Sequence, residues 1–202
     1  MSMVDVIDGA SFPRLEPIAC PLCGQSNPAR VIAARFGMLT SVAECPPCRL
    51  AYQTPRPSEE ASRAYMNWRW SSGDSYVTDS ENKRRAARAK LTHVQEVRPL
   101  PGRLLDFGAG SGAFVRASLD AGWQAVGVEQ SEAAIARARE YYGVDLQDSL
   151  PDEEFDVITM WDVVEHLRDP LAVLRLLHGR LRREGVLLME TGNYENWGRI
   201  LE

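Results

Sequence analysis

One stretch narrows the possible folds of this chain more than any other. The apolar run Leu104-Leu105-Asp106-Phe107 leads straight into Gly108-Ala109-Gly110-Ser111-Gly112. Glycines let a backbone turn sharply and approach a ligand without a Cβ in the way. A helix is expected next, from about Ser111 to Ala121 and ended by Gly122. Its N-terminus offers free N–H groups to an electronegative partner. A second strand, Ala125-Val126-Gly127-Val128-Glu129, ends in a carboxylate 19 residues after Gly110. From there it can accept hydrogen bonds from both hydroxyls of a ribose. A glycine-rich turn alone would be weak evidence. Strand, glycines, helix and Glu129 in register predict a nucleoside site at the carboxyl edge of an open sheet.

The spacing also says which nucleoside. A dinucleotide fingerprint is G-x-G-x-x-G, whereas here the glycines run G-x-G-x-G with Ala113 and Phe114 following. Asp106 would repel a pyrophosphate, but it would attract the ammonium of a methionine moiety. Both details favour S-adenosylmethionine over NAD.

The four cysteines fall into two identical spacings, Cys20-Pro-Leu-Cys23 and Cys45-Pro-Pro-Cys48, with none left over. Twin knuckles of this kind fit a tetrahedral zinc site. The alternatives are a pair of disulfides or a redox dithiol. Disulfides call for an oxidising compartment, and the opening residues MSMVDVIDGASFPR contain neither a basic nor an apolar signal region. A redox dithiol needs no twin. With sulfur at all four corners, the zinc is expected to be structural.

Around these two features the 202 residues, 45% hydrophobic and 25% charged, read as an ordinary globular α/β chain. We expect a loose leader over 1–16, a zinc ribbon over 17–57 and a helical linker over 58–100. A Rossmann-like domain with an open, mostly parallel sheet and helices on both faces is expected over 101–202. In the linker, Ser58 caps a helix to about Trp70, and a second helix over 81–97 turns Ala87, Leu91 and Val94 to one face. In the domain, a helix runs from Ser131 to Tyr142, short strands cover 144–146 and 155–160, a helix runs from Pro170 to a stop at Gly185, and a last strand covers 186–190. A net charge of -5 argues against a nucleic-acid partner. No apolar run is long enough for a bilayer, so a cytoplasmic protein without a membrane partner is expected.

These segments together resemble class I S-adenosylmethionine-dependent methyltransferases. Leu105-Asp106-Phe107-Gly108-Ala109-Gly110-Ser111-Gly112 looks like their first motif, and Gly127-Val128-Glu129-Gln130-Ser131 like their acidic second motif. Residues 155–170, FDVITMWDVVEHLRDP, resemble the fourth strand and following loop of ubiquinone-biosynthesis-type O-methyltransferases, and 184–193 their fifth-strand motif. The segment from Cys45 to Ser58 is similar to the zinc ribbon of bacterial sugar C-methyltransferases. Arg49 departs from the glycine common after the last zinc cysteine, and Gly192 from the proline usual before Asn193. The family fold continues through two more antiparallel strands, so the last strands are expected to be absent from this chain.

The resemblance implies roles by position. Asp106, Gly108 and Gly110 line the methionine moiety, Glu129 holds the ribose, Asp148 and Ser149 meet the adenine edge, Met160 and Trp161 pack near the adenosine, and Ala109 and Gln130 are further cofactor-binding positions. It also implies methyl transfer to a small-molecule acceptor such as a sugar, lipid or secondary-metabolite intermediate. His166 is the candidate general base. The competing reading makes it a brace for the loop before Asp169. The aromatics Tyr65, Trp68, Trp70 and Tyr76 either cover an acceptor or cement an interface. From Lys83 to Arg103, seven basic residues stand against one acid, Glu96, which is either a phosphate-binding stretch or a solvated helix face. Two rival functions remain: an RNA methyltransferase that uses ribbon and basic helix, and a non-catalytic cofactor-binding module. A homodimer or partner chain that completes the sheet is a further expectation.

Overall fold

The computed structural model describes residues 5–7, 10–12, 15–26, 30–33, 41–71 and 81–192. The chain divides into two compact units. One comprises Met1–Met66, Arg168–Ala172 and Asn193–Glu202, and the other Asn67–Leu167 and Val173–Gly192.

In the first unit, β1 (Asp5–Ile7) and β2 (Ala10–Phe12) pair antiparallel, as do β3 (Leu15–Glu16) and β7 (Arg56–Pro57). The residues expected to form a loose leader are therefore partly built into strands. β4 (Arg30–Ala33), β5 (Ser41–Glu44) and β6 (Ala51–Gln53) form a three-stranded antiparallel sheet. Its small core gathers Cys20, Ala43, Cys45 and Tyr52. Arg168 straps the unit, donating to the Pro57 carbonyl at 2.9 Å and to Glu16 at 3.1 Å.

Helix α1 (Glu59–Ser71) begins where Ser58 Oγ accepts from the Ala61 N–H at 3.2 Å. The unit boundary falls within this helix. Helix α2 (Glu81–Val97) buries Ala87, Leu91 and Val94, the apolar face expected from its periodicity.

The second unit is built on four parallel strands: β8 (Arg103–Phe107), β9 (Gln124–Val128), β10 (Phe155–Trp161) and β11 (Leu181–Glu190), in the order β11-β10-β8-β9. Between them run α3 (Ala113–Asp120), α4 (Glu132–Tyr142) and α5 (Pro170–His178). Side chains alternate across the sheet. Leu104 and Val157 pack with α2 and α3 on one face, while Leu105, Ile158 and Met160 pack with Leu177 of α5 on the other.

Two expected elements change. Residues 144–146 form no strand, and the only pairing there is a one-residue bridge from Val128 to Gln147. The last helix stops at His178 rather than Gly185, and β11 opens at Leu181. Leu181 pairs with Phe155 and Val186 with Val157, so 182–185 bulge out of register, and exposed Arg182, Arg183 and Glu184 stand in the bulge.

Candidate functional site

The winding of the sheet changes direction between β8 and β10. β8 leads into α3 on one face, and β10 leads through a 3-10 turn (Val164–His166) into α5 on the other. Such a switch point leaves a crevice at the carboxyl ends of the strands. Asp106 and Thr159 are register partners there, and Thr159 Oγ1 donates to Asp106 Oδ1 at 2.8 Å. Asp106 is 2% exposed. Burial pushes its carboxyl up to about 7, with the charge of Glu129 adding to the rise, while the Thr159 hydrogen bond and the Lys90 charge oppose it. A carboxyl so displaced, at a switch point, is prepared to receive a cation.

The glycine loop is held by the strand beside it. Gly108 and Ala109 N–H groups donate to the Val128 carbonyl at 2.8 and 2.9 Å. The Glu129 carboxylate accepts from the Gly110 N–H and from the Ser131 N–H, each at 2.9 Å. Glu129 thus ties the loop to the start of α4, and its remaining lone pairs stay available. The close fit requires glycine. Gly108 has φ 80°, and a Cβ there would lie 2.5 Å from Val163; Gly112 has φ 77°, and its Cβ would lie 2.9 Å from that of Ala138.

The remaining candidates spread from this centre. Gln147 exchanges hydrogen bonds with the β9 end, donating to the Gly127 carbonyl and accepting from the Glu129 N–H, both at 2.9 Å. Asp148 and Ser149 follow it in an exposed bend, and Gln130 is exposed at the β9 tip. Asp106, the loop and Glu129 are therefore gathered, with Gln130, Asp148 and Ser149 adjoining. Met160 and Trp161 separate instead. Met160 is fully buried on the α5 side, whereas Trp161 lies on the α2–α3 side, edge-on to Phe114 at 5.3 Å. The two alternate across the sheet and lie in different surroundings. His166 is exposed at the end of the 3-10 turn.

Trp70, one of the aromatics read as covering an acceptor or cementing an interface, lies at the glycine loop, and Asn67 joins it there without having been foreseen. Trp70 is buried against Ala133 and Ala134, and its indole approaches within 3.2 Å of where a Gly110 Cβ would be. Asn67, one turn earlier, accepts from Ser131 Oγ at 2.8 Å. The end of α1 therefore lies over the glycine loop. Tyr76, grouped with Trp70 in the sequence reading, lies outside the described residues. Lys90 of α2 sits over the Trp161 ring at 5.0 Å, 3.1 Å from Glu190 and 3.6 Å from Asp162. Asp162 has φ 57°, an uncommon conformation for a residue with a Cβ. That strain is a signal composition does not carry.

In the other unit the four cysteine sulfurs lie within 4.8 Å of one another. The Cys20–Cys48 and Cys23–Cys45 separations are 3.5 and 3.4 Å. Disulfide sulfurs would stand about 2.05 Å apart, while a zinc tetrahedron with bonds of about 2.3 Å has edges of about 3.8 Å. The turns match: the Gly24 N–H donates to the Cys20 carbonyl and the Arg49 N–H to the Cys45 carbonyl, both at 2.8 Å. Gly24 has φ 74° and Arg49 φ 62°, so Arg49 adopts the backbone that glycine would take. Burial pushes Cys45 up to about 12. At Cys20 burial also acts upward, but hydrogen bonds to the backbone of Cys23 and Leu22 prevail and bring it down to about 7. As thiolates, four sulfurs so close would repel one another unless a cation stood among them. The donor set fits zinc.

A family profile described as a methyltransferase domain matches residues 79–199. A ubiquinone biosynthesis O-methyltransferase of Ruegeria pomeroyi is 34% identical over 108 residues, covering 48% of this chain and 44% of that protein. One from Bradyrhizobium diazoefficiens is 29% identical over 133 residues, covering 60% and 50%. The chain thus spans about half the length of these curated relatives. The crystal structure of Streptomyces venezuelae DesVI superposes with a TM-score of 0.51 at 19% identity, covering 60% of this chain and 56% of that one, a likeness of fold.

Proposed function

The chain belongs to the class I S-adenosylmethionine-dependent methyltransferases through the domain at 79–199, and from that membership we propose that it transfers a methyl group from S-adenosylmethionine to a small-molecule acceptor. The observation that carries the reading is Asp106, a buried carboxyl at the switch point whose one described hydrogen bond comes from Thr159. It suits the ammonium of a methionine moiety and would repel a pyrophosphate. Glu129, beside the glycine loop, suits ribose hydroxyls, and Gln130, Asp148 and Ser149 would border the base. S-adenosylmethionine supplies an activated methyl on a sulfonium when bound. The protein's part is to orient the acceptor in line and exclude water, and the indole of Trp70 over the loop supports the second role. His166 would accept a proton from a hydroxyl or acidic carbon acceptor.

We further propose one structural zinc on Cys20, Cys23, Cys45 and Cys48, on the strength of the sulfur separations. Within the proposed division into ribbon, helical linker and methyltransferase domain, the edge strand β11 is a place where a further strand would add. The curated O-methyltransferase relatives support a small-molecule acceptor. Among the described residues no helix is long and apolar enough to cross a membrane. The function is tested by supplying methyl-labelled S-adenosylmethionine with fractionated metabolite pools. Label should pass to a small acceptor and not to RNA, and His166→Gln should slow transfer by roughly 10²-fold or more while cofactor affinity holds. Label in RNA alone would contradict the reading.

A further inference from the structure

A second charged feature lies away from the glycine loop, in the groove between α2 and α3. A cleft of about 380 Å³ opens there. α2 contributes Arg84 and Arg88, one turn apart on one face, and α3 contributes Arg116. Asp120 is the one acid lining it, so the cleft carries a net +2 on a chain whose net charge is -5. The space exists because Ala113 and Ala117 of α3, and Ala121 just past its end, line it with small side chains. Larger apolar residues would have closed it.

The described contacts of Arg88 and Arg116 are weak or local. Arg88 reaches Glu81 at 3.4 Å with both side chains more than half exposed, a pairing of small value in water. Arg116 pairs with Asp120 one turn away, and its Nε–H has no acceptor among the described residues. Arg84 is held over the Tyr142 ring at 5.0 Å, which fixes its direction. Guanidinium groups are planar forks matched to phosphate oxygens. Three of them, converging from two helices on a concave site, make an arrangement that a solvated helix face does not require.

We propose that the α2–α3 cleft is an anion subsite that binds the phosphate group of a small phosphorylated metabolite, clamped by Arg84, Arg88 and Arg116. The reading is independent of methyl transfer, because the cleft uses none of the residues assigned to the cofactor.

Calorimetric titration of the full chain with inorganic pyrophosphate and, separately, with a sugar 1-phosphate tests it in the absence of S-adenosylmethionine. Saturable one-site binding is expected, weakening as salt is raised. Arg88→Gln and Arg116→Gln should each raise Kd by roughly tenfold or more. Arg85→Gln is the control, since Arg85 is a neighbouring exposed cation of α2 that hydrogen-bonds Asn82 at 3.1 Å and does not line the cleft. It should leave Kd unchanged. Melting curves on all three variants show that each is folded. Tighter binding of the sugar phosphate assigns the site to an ester, and equal binding assigns it to the phosphate group itself. Absence of saturation, equal weakening by Arg85→Gln, or binding of single-stranded RNA without binding of either small probe would overturn the proposal.

Discussion

Asp106 sets the terms of the site by being costly. Its carboxyl is buried and raised to about 7 from an ordinary value of 3.8. A carboxyl raised on folding contributes stability that is fully present below its unfolded pKa and is lost as pH rises through the folded value. The unliganded protein should therefore lose stability between about pH 4 and pH 7 through this one group. Asp106→Asn keeps an oxygen for the Thr159 hydroxyl and removes the charge. At pH 8 it should stabilise the unliganded protein by about 2–4 kcal/mol while abolishing measurable S-adenosylmethionine binding. Denaturant titration of both proteins at pH 4 and pH 8 checks this, and a gain at pH 4 equal to that at pH 8 would mean that charge burial is not the cause. The motif made Asp106, the glycines and Glu129 legible in the sequence, because each sits at a fixed offset from a strand end. Trp70 was legible only as one of several aromatics with two readings, and Lys90 only as one charge in a basic stretch. They come from helices α1 and α2, well before the motif, and only the packing of those helices brings them to the loop and to Trp161. Met160 and Trp161 are neighbours along the chain, and strand alternation turns them to opposite faces of the sheet.

At the scale of elements, caps and stops were readable wherever one side chain decides them. Ser131 Oγ accepts from the Ala134 N–H at 3.3 Å, and Gly143 ends α4 with φ 61°. The end of α5 was not readable, because Gly179 and Gly185 are both plausible stops and the charged residues between them look like a helix terminus. They stand instead in a bulge of edge strand β11, where polar side chains remain in water. Asp156 was passed over as one residue of an apolar run, yet it ties together the amino ends of three strands. It accepts from the Arg103 N–H at 2.8 Å and Arg182 at 2.9 Å, with Arg98 at 3.4 Å. These partners hold its carboxyl below the usual range although burial opposes them. Its stabilising effect is present above the unfolded pKa and lost as pH falls through the lower folded value. Asp156→Ala should cost about 2–3 kcal/mol at neutral pH, seen as a lower denaturation midpoint. The difference from the parent should shrink below about pH 4, and a difference independent of pH would mean that packing, not charge, is what the substitution removes.

At the scale of the whole molecule, the cysteine cluster and the Asp106 crevice belong to different compact units, each with its own core. The Cys spacing pointed to the cluster and the strand–helix alternation to the sheet, but the boundary inside α1 has no signal in the sequence. Chelation with a strong zinc ligand should release one zinc per chain and unfold the ribbon, because metal binding and folding are coupled there. Affinity for S-adenosylmethionine should change by no more than about twofold, because the cysteine cluster supplies none of the residues assigned to the cofactor. Elemental analysis with circular dichroism before and after chelation checks the first part, and disulfides in place of zinc would contradict it. Isothermal titration of the parent chain and of Glu129→Ala is the sharpest test that the glycine loop, Asp106 and Glu129 form an S-adenosylmethionine site. One S-adenosylmethionine should bind per parent chain and NAD should not, and the variant should lose about 1.5–3 kcal/mol as charge-assisted bonds to the ribose disappear. Equal affinity in the two proteins, or tight NAD binding by the parent, would contradict it.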